Sequence, residues 1–97
     1  MFEPNKPRYL TRGIDNKIPL DVQLCMWDII DRLTEPKDYL QVFQLNVVDG
    51  IQIIRHTSEQ PVVDKTYTMT TFARPVTAKV YVIDSAEYCT MLLAEEY

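Results

Sequence analysis

Only one stretch of the chain has a strong helical pattern of apolar residues, Ile18–Thr34. Pro19 fits the first turn of a helix, where its missing N–H costs nothing, and Asp21 places a negative charge near the positive end of the helix dipole. Because Pro36 disfavours helical geometry in the residue before it, we predict that the helix ends near Thr34. At about 100° per residue, one broad face should pack on a sheet and carries Val22, Cys25, Met26, Ile29, Ile30 and Leu33.

The same helix carries a second, narrower apolar stripe formed by Leu20, Leu24 and Trp27. Packing beneath another part of the chain would account for this stripe without any functional role. Tryptophan is also enriched at the energetic centres of protein interfaces. The stripe is therefore a candidate partner or dimer surface, with Trp27 as its anchor.

Strand-like patterns follow the helix, and the first two predict a hairpin. Residues Tyr39–Val48 contain many β-branched and aromatic residues, Asp49-Gly50 follows, and a second apolar run begins at Ile51. Asp-Gly between two apolar runs is a strong signal for a two-residue hairpin turn. Such a turn fixes the register, with Val48 opposite Ile51, Val47 opposite Gln52, Leu45 opposite Ile54, and Phe43 opposite His56.

In this register both faces of the hairpin are largely apolar. One face carries Tyr39, Phe43, Leu45, Val47 and Ile54, and the other carries Leu40, Val42, Val48, Ile51 and Ile53. An antiparallel sheet with one face in water alternates apolar and polar residues more cleanly than this. We therefore expect the helix to cover one face. The other face should be covered by the C-terminal segment, by curling of the sheet, or by a second molecule.

The remaining segments complete a predicted α+β fold. Thr57–Asp64 has the composition of a loop, and strands are predicted at Arg8–Arg12, Lys65–Phe72 and Val76–Ile83. Residues 85–97 favour a helix by propensity, but their apolar residues scatter around a helical wheel, and the pattern favours a strand. We predict one N-terminal amphipathic helix packed on a curved antiparallel sheet of four to six strands, in a single domain spanning residues 1–97.

Charge is balanced over most of the chain. Residues 1–83 contain ten acidic and ten basic side chains, so the formal net charge of −4 comes from Asp84, Glu87, Glu95 and Glu96. A neutral body without a basic cluster argues against nucleic-acid binding, which requires neutralisation of phosphates. The N-terminus lacks a signal-peptide pattern, and no stretch is long enough to span a membrane. We therefore expect a cytoplasmic protein without a nucleic-acid or membrane partner.

Few residues offer catalytic chemistry. His56 is the single histidine, Cys25 and Cys89 match no metal-binding spacing, and two glycines cannot form a glycine-rich phosphate loop. We predict no cofactor, no metal site and no catalytic residue. The sequence disfavours an enzyme without excluding one.

Arg8 and Arg12 project to the same side of the predicted first strand. They are candidates for an anion or partner contact, and they belong to the predicted interaction surface together with Leu20, Leu24 and Trp27. The alternative is a pair of surface salt bridges to Glu95 and Glu96 that tie the two ends of the chain together, an interaction that contributes only about 0–1 kcal/mol.

A ligand-binding alternative also stays open. A helix on a curved sheet can enclose a pocket in which a carboxylate and a tyrosine perform acid–base chemistry. The candidate pocket residues are Tyr9, Tyr39, Asp31 and His56. This alternative predicts a tyrosine hydroxyl beside a carboxylate with a raised pKa.

Four segments of the sequence resemble a small uncharacterised family of Gram-positive bacteria and their phages, domain of unknown function 960. They are Pro7–Gly13, the helix Ile18–Leu33, Asp38–Phe43 and Thr90–Tyr97. The resemblance spans nearly the whole chain. It implies an α+β roll of the cystatin or nuclear-transport-factor type, in which a curved antiparallel sheet cradles a helix, and it implies no role for any residue.

Together these patterns predict a non-enzymatic protein–protein interaction or regulatory module. Its partner would be another protein or a second copy of the chain, in a homodimer. The alternative is a small-ligand-binding or isomerase-like roll with a pocket between helix and sheet.

Overall fold

Six strands and two helices form the computed structural model, which describes residues 2, 3, 5–71 and 73–97. In chain order they are β1 (Arg8–Leu10), α1 (Arg12–Lys17), α2 (Leu20–Asp31), β2 (Leu40–Val48), β3 (Ile51–Glu59), β4 (Val62–Met69), β5 (Ala78–Asp84) and β6 (Cys89–Leu93). A 3₁₀ turn at Ala94–Glu96 follows β6. The structure confirms an α+β fold, but Phe72, the predicted end of one strand, lies outside the described residues.

The six strands form one open sheet in the order β1-β6-β5-β2-β3-β4. Because β1 runs parallel to β6 while every other pairing is antiparallel, the prediction of an antiparallel sheet is wrong in this one pairing. Strand β6 lies between β1, to which it is parallel, and β5, to which it is antiparallel. The linear order leaves β1 and β4 as edges, so the sheet does not close on itself.

Helix α2 confirms the predicted buried face. Val22, Met26, Ile29 and Ile30 are buried, and Cys25 packs against them while partly exposed. Pro19 serves as the N-cap instead of lying within the first turn, and the helix ends at Asp31, three residues before the predicted end. The earlier end places Leu33, the last residue of the predicted face, outside the helix, and Gln23 and Trp27 are buried in addition to the predicted residues.

Helix α1 was not predicted, because Gly13 and the polar residues after it have the composition of a turn. The Thr11 hydroxyl caps the helix by accepting from the Ile14 N–H at 3.3 Å, and the Ile14 side chain is fully buried. The amphipathic helix is therefore the second helix of the chain. A six-residue helix is too short to generate a periodic signal in the sequence.

The Glu96 carboxylate joins the C-terminal turn to the start of α1. It accepts hydrogen bonds from the Thr11 hydroxyl at 2.6 Å, the Leu93 N–H at 2.8 Å and the Gly13 N–H at 3.3 Å. Lys17 lies 4.0 Å from Glu95. These contacts hold the two ends of the chain together, and Arg8, for which pairing with the acidic tail was one of two alternatives, binds Asp31 instead.

The β2–β3 hairpin confirms the predicted turn and register. Asp49 and Gly50 both have positive φ angles, 51° and 76°, as a two-residue hairpin turn of type I′ requires. Phe43 pairs with His56, and Val48 with Ile51.

The prediction of a loop at Thr57–Asp64 is wrong, because β3 continues to Glu59 and β4 begins at Val62. The Asp38 carboxylate accepts from the backbone N–H groups of Glu59 and Gln60 at 3.1 and 2.9 Å, which fastens this tight turn to the start of β2. The predicted strand in residues 85–97 is confirmed at Cys89–Leu93.

The core lies between α2 and one face of the sheet. Fully buried apolar side chains fill it, among them Val22, Met26, Ile30, Phe43, Leu45, Ile54, Val80, Val82 and Met91. Gln41, Gln52 and His56 are equally buried in the same face. The His56 ring stacks on Phe43 with 4.7 Å between centroids, and its Nε2 lies 2.5 Å from the Gln41 Oε1.

This packing makes the stability of the fold depend on pH through His56. Burial, with a smaller contribution from Lys65, lowers the pKa of His56 from 6.5 to about 4. An unfolded chain therefore binds the proton more readily than the folded one, and stability is lost as pH falls from about 6.5 toward 4. The loss from this group reaches up to about 3 kcal/mol, at about 1.4 kcal/mol per pKa unit.

Urea unfolding between pH 7 and pH 4 should therefore show a steeper loss of stability for the wild type than for His56→Phe, which cannot take up this proton. In the folded wild type, the NMR signal of the single imidazole should keep its neutral shift at pH 5. An imidazole that titrates near its ordinary pKa, or two variants with the same pH dependence, would contradict the predicted burial.

The Glu96 contact reverses the usual effect of replacing a helical glycine. Alanine normally stabilises a helix by about 0.5–1 kcal/mol relative to glycine. A Cβ at Gly13, however, would lie 2.6 Å from the Glu96 Cδ. Gly13→Ala should displace this carboxylate and destabilise the wild type by about 1 kcal/mol, yet stabilise the Glu96→Ala variant. A double-mutant cycle by chemical denaturation measures both effects, and equal effects in the two backgrounds would refute this contact.

Candidate interaction surface

The face of the sheet opposite α2, called the open face below, has an apolar centre. Directly paired positions bring Leu40 beside Ile83, and Val42 beside Tyr81, across β2 and β5. These four side chains are only partly buried, whereas the residues that alternate with them, such as Phe43 and Val82, are completely buried beneath α2. Most of the C-terminal segment does not cover this face as one prediction proposed, because it joins the sheet as β6; its last residue, Tyr97, contacts Tyr81 on the face.

Five of the six tyrosines lie on or beside the open face. Tyr81 stands in its centre, and Tyr97 makes an edge-to-face contact with it at 5.5 Å. Tyr9 is paired with Thr90, which is itself paired with Ile83, and Tyr88 contacts the Tyr9 ring at 5.6 Å. The fifth, Tyr39, lies in a cleft at the end of the face. Four of these rings are exposed, with Tyr97 reaching 76%.

The charges on the open face sum to zero. Positive charge comes from Lys37, Arg55 and Lys79, and negative charge comes from Asp38, Glu59 and Asp64. Arg55 and Asp64 form two hydrogen bonds, at 3.0 and 2.7 Å, which raise the pKa of the arginine and lower that of the aspartate. The acidic tail is directed elsewhere, since Glu95 lies near Lys17 and Glu96 binds the start of α1.

A cleft of about 670 Å³ opens at one end of this face, between the start of β2 and the β3–β4 turn. Its wall includes Asp38, Tyr39, Val42 and Thr57. Burial alone would raise the pKa of the Asp38 carboxyl, but the backbone N–H groups of Leu40, Gln60 and Glu59 outweigh it and lower the pKa. The carboxylate in this cleft is therefore ionised and already holds the backbone, which does not suit a proton-transfer role.

The predicted helix stripe divides into exposed and buried parts. Leu20 and Leu24 are exposed, at 67% and 59%, whereas Trp27 is only 8% exposed. The Arg8 guanidinium lies over the Trp27 ring, 4.7 Å from its centroid, and forms two hydrogen bonds with the Asp31 carboxylate. These three residues make a packed contact between β1 and α2. Arg12 lies apart from this contact along the chain, as the first residue of α1, and is exposed.

The four predicted pocket residues do not line a common cavity. Tyr9 and Tyr39 lie on or beside the open face, Asp31 binds Arg8 on the outside of α2, and His56 lies beneath α2. The His56 Nδ1 is buried without a hydrogen-bond partner, so this nitrogen is not presented to a ligand. Neither Trp27 nor His56 lines any of the three clefts that the described residues form most clearly.

A partly buried ionic cluster near β1 had no sequence signal, because Lys6 lies far along the chain from Asp84 and Cys89. The Lys6 ammonium donates to the Asp84 carboxylate at 2.8 Å and to the Ser85 carbonyl at 2.7 Å, and the Cys89 thiol lies 3.2 Å from the same carboxylate. Burial, followed by the effect of Asp84, raises the pKa of the Cys89 thiol to about 11. This thiol stays protonated and is not a nucleophile.

Helix length bears on membrane insertion. In the part of the chain that the structure describes, neither helix has the length and apolarity that crossing a bilayer would require.

Comparison with known proteins identifies the family. No curated protein matches the chain. A crystal structure of a protein of unknown function from Enterococcus faecalis superposes with a TM-score of 0.84, at 21% identity over 99% of this chain and 94% of that chain. This similarity shows a shared fold. The model of a family described as staphylococcal protein of unknown function (DUF960) matches residues 7–96. The chain therefore belongs to the DUF960 family of staphylococcal proteins.

Proposed function

We propose that this protein is a non-enzymatic protein–protein interaction module whose contact surface is the open face. The observation that carries the proposal is the placement of five of the six tyrosines on or beside this face. Tyrosine is enriched at protein interfaces because its ring supplies a large apolar contact while its hydroxyl tolerates water.

The arrangement of the open face supports this proposal. Its centre holds the apolar residues Leu40, Val42 and Ile83 around Tyr81, and the Lys79 ammonium lies 5.7 Å from the Tyr81 ring centroid. Protein interfaces commonly combine aromatic and apolar contacts with polar and charged groups.

The alternative, a ligand-binding or isomerase-like roll of the cystatin or nuclear-transport-factor type, has weaker support. It requires a pocket between helix and sheet, a space that Met26, Ile30 and Phe43 help to fill. It also requires a carboxylate of raised pKa, whereas the pKa of Asp38 in the cleft at the β3–β4 turn is lowered. The helix stripe is likewise a weaker contact surface, because its tryptophan is buried.

The predicted cytoplasmic location is part of the proposal. Cys25 and Cys89 are both unpaired, as the reducing conditions of a bacterial cytoplasm would leave them.

Two charge-introducing substitutions separate the open face from the helix stripe. Val42→Lys places a charge at the centre of the open face, and Leu24→Lys places the same charge on the exposed side of α2. From a lysate of the native host, tagged wild type and Leu24→Lys should co-purify the same protein in equal yield. Val42→Lys should lose it by about tenfold or more, the effect of a single hot-spot residue.

Circular dichroism and the melting temperature check that both variants keep the fold. Equal recovery of every bound protein by all three baits would overturn the open face as the contact surface.

A further inference from the structure

We propose that the occupant of the open face is a second copy of this chain, in a symmetric homodimer in which the two sheets pack face to face. This inference rests on the proposed function and names its partner. Soluble oligomers are most often twofold homodimers, in which the same patch of each subunit contacts its counterpart. A patch can serve both subunits only when it is complementary to itself in shape and charge.

The charge of the open face meets this requirement. Three basic and three acidic side chains lie on or beside it, so a second copy brings no excess of like charge. The residues that give the chain its charge of −4 are largely bound elsewhere, including Asp84 to Lys6 and Glu96 to the start of α1. A second copy placed on this face therefore meets no net electrostatic repulsion.

The size of the face also fits a homodimer. Six strands spaced about 4.8 Å apart, with the longer ones reaching about 30 Å, give a face of roughly 700 Å². A stable interface of standard size buries about 800 Å² on each partner. The exposed rings of Tyr9, Tyr88 and Tyr97 lie at the border of the face and would add to the contact.

Two sheets can pack face to face because α2 covers only one face of each sheet. Helix α2 already covers one face of each sheet, so a second sheet about 10 Å away can cover the other, as in a β-sandwich. The exposed side of α2 suits a second copy less well, because Trp27 is buried beneath Arg8 and the exposed apolar residues there are Leu20 and Leu24.

Sedimentation and light scattering over a concentration series test this inference. Between about 1 and 200 μM, a range that covers micromolar dissociation constants, the wild type should approach a mass of twice 11.4 kDa. Leu24→Lys should do the same, whereas Val42→Lys should stay at 11.4 kDa. Thr57→Lys changes a partly exposed polar residue of the same face and should also stay monomeric, so the test does not depend on the tolerance of Val42 alone.

A wild type that stays monomeric over this range would overturn the homodimer. The proposed function would still stand if Val42→Lys lost a bound protein from the lysate. A dimer that Leu24→Lys breaks, and that Val42→Lys and Thr57→Lys leave intact, would overturn both proposals, because the contact would then involve α2.

Discussion

The structure depends on the packing of one amphipathic helix against one face of a six-stranded sheet. Helix α2 has twelve residues and is therefore about 18 Å long, which is enough to cover the centre of one face. Its buried side chains, with Met26 and Ile30 among them, meet Phe43 and Ile54 of the hairpin. The only other helix that the structure describes has six residues. One face of the sheet is consequently buried beneath α2. The other face keeps apolar and aromatic side chains in partial contact with water.

The face buried beneath α2 also contains polar groups whose hydrogen bonds fix the ends of the hairpin. The Gln52 amide donates to the carbonyls of Asn46 and Val76, both at 2.9 Å, and its oxygen accepts from the Val76 N–H at 2.8 Å. At the opposite end, the Gln41 amide donates to the Asp38 carbonyl at 2.8 Å while its oxygen contacts His56. Burying polar groups is costly unless they are paired, so these bonds favour one register and one path for the connecting segments.

Local signals in the sequence were sufficient for the central part of the fold. The Asp49-Gly50 turn fixed the hairpin register, and the spacing of Val22, Met26 and Ile30 identified the face that packs on the sheet. Helix α1 escaped prediction because its six residues are too few for a periodic signal and Gly13 with the polar residues after it has the composition of a turn. Pairing of β1 with β6 joins the two ends of the chain, and no local pattern specifies a contact over such a distance.

The sequence predicted only part of the candidate interaction surface. Alternation along β2 and β3 indicated a second apolar face without identifying what covers it. The structure places Val42 and Ile53 on this face, where both are partly exposed. Gathering the tyrosines there requires the complete strand order, since Tyr9, Tyr81 and Tyr97 lie on separate segments. The sequence placed Trp27 in an apolar stripe, but it gave no sign that Arg8 of β1 would cover the Trp27 ring. Membership in the DUF960 family agrees with the fold without adding a role for any residue.

The central proposal is that one face of the sheet binds a second copy of the chain while α2 covers the other. Hydroxyl-radical footprinting of the six tyrosines at low and high protein concentration tests it most directly. The account predicts that Tyr9, Tyr39, Tyr81, Tyr88 and Tyr97 become protected together as concentration rises, while Tyr67 and the exposed Leu24 keep their reactivity. Protection of Leu24 in place of these tyrosines, or reactivity that does not change with concentration, would contradict it.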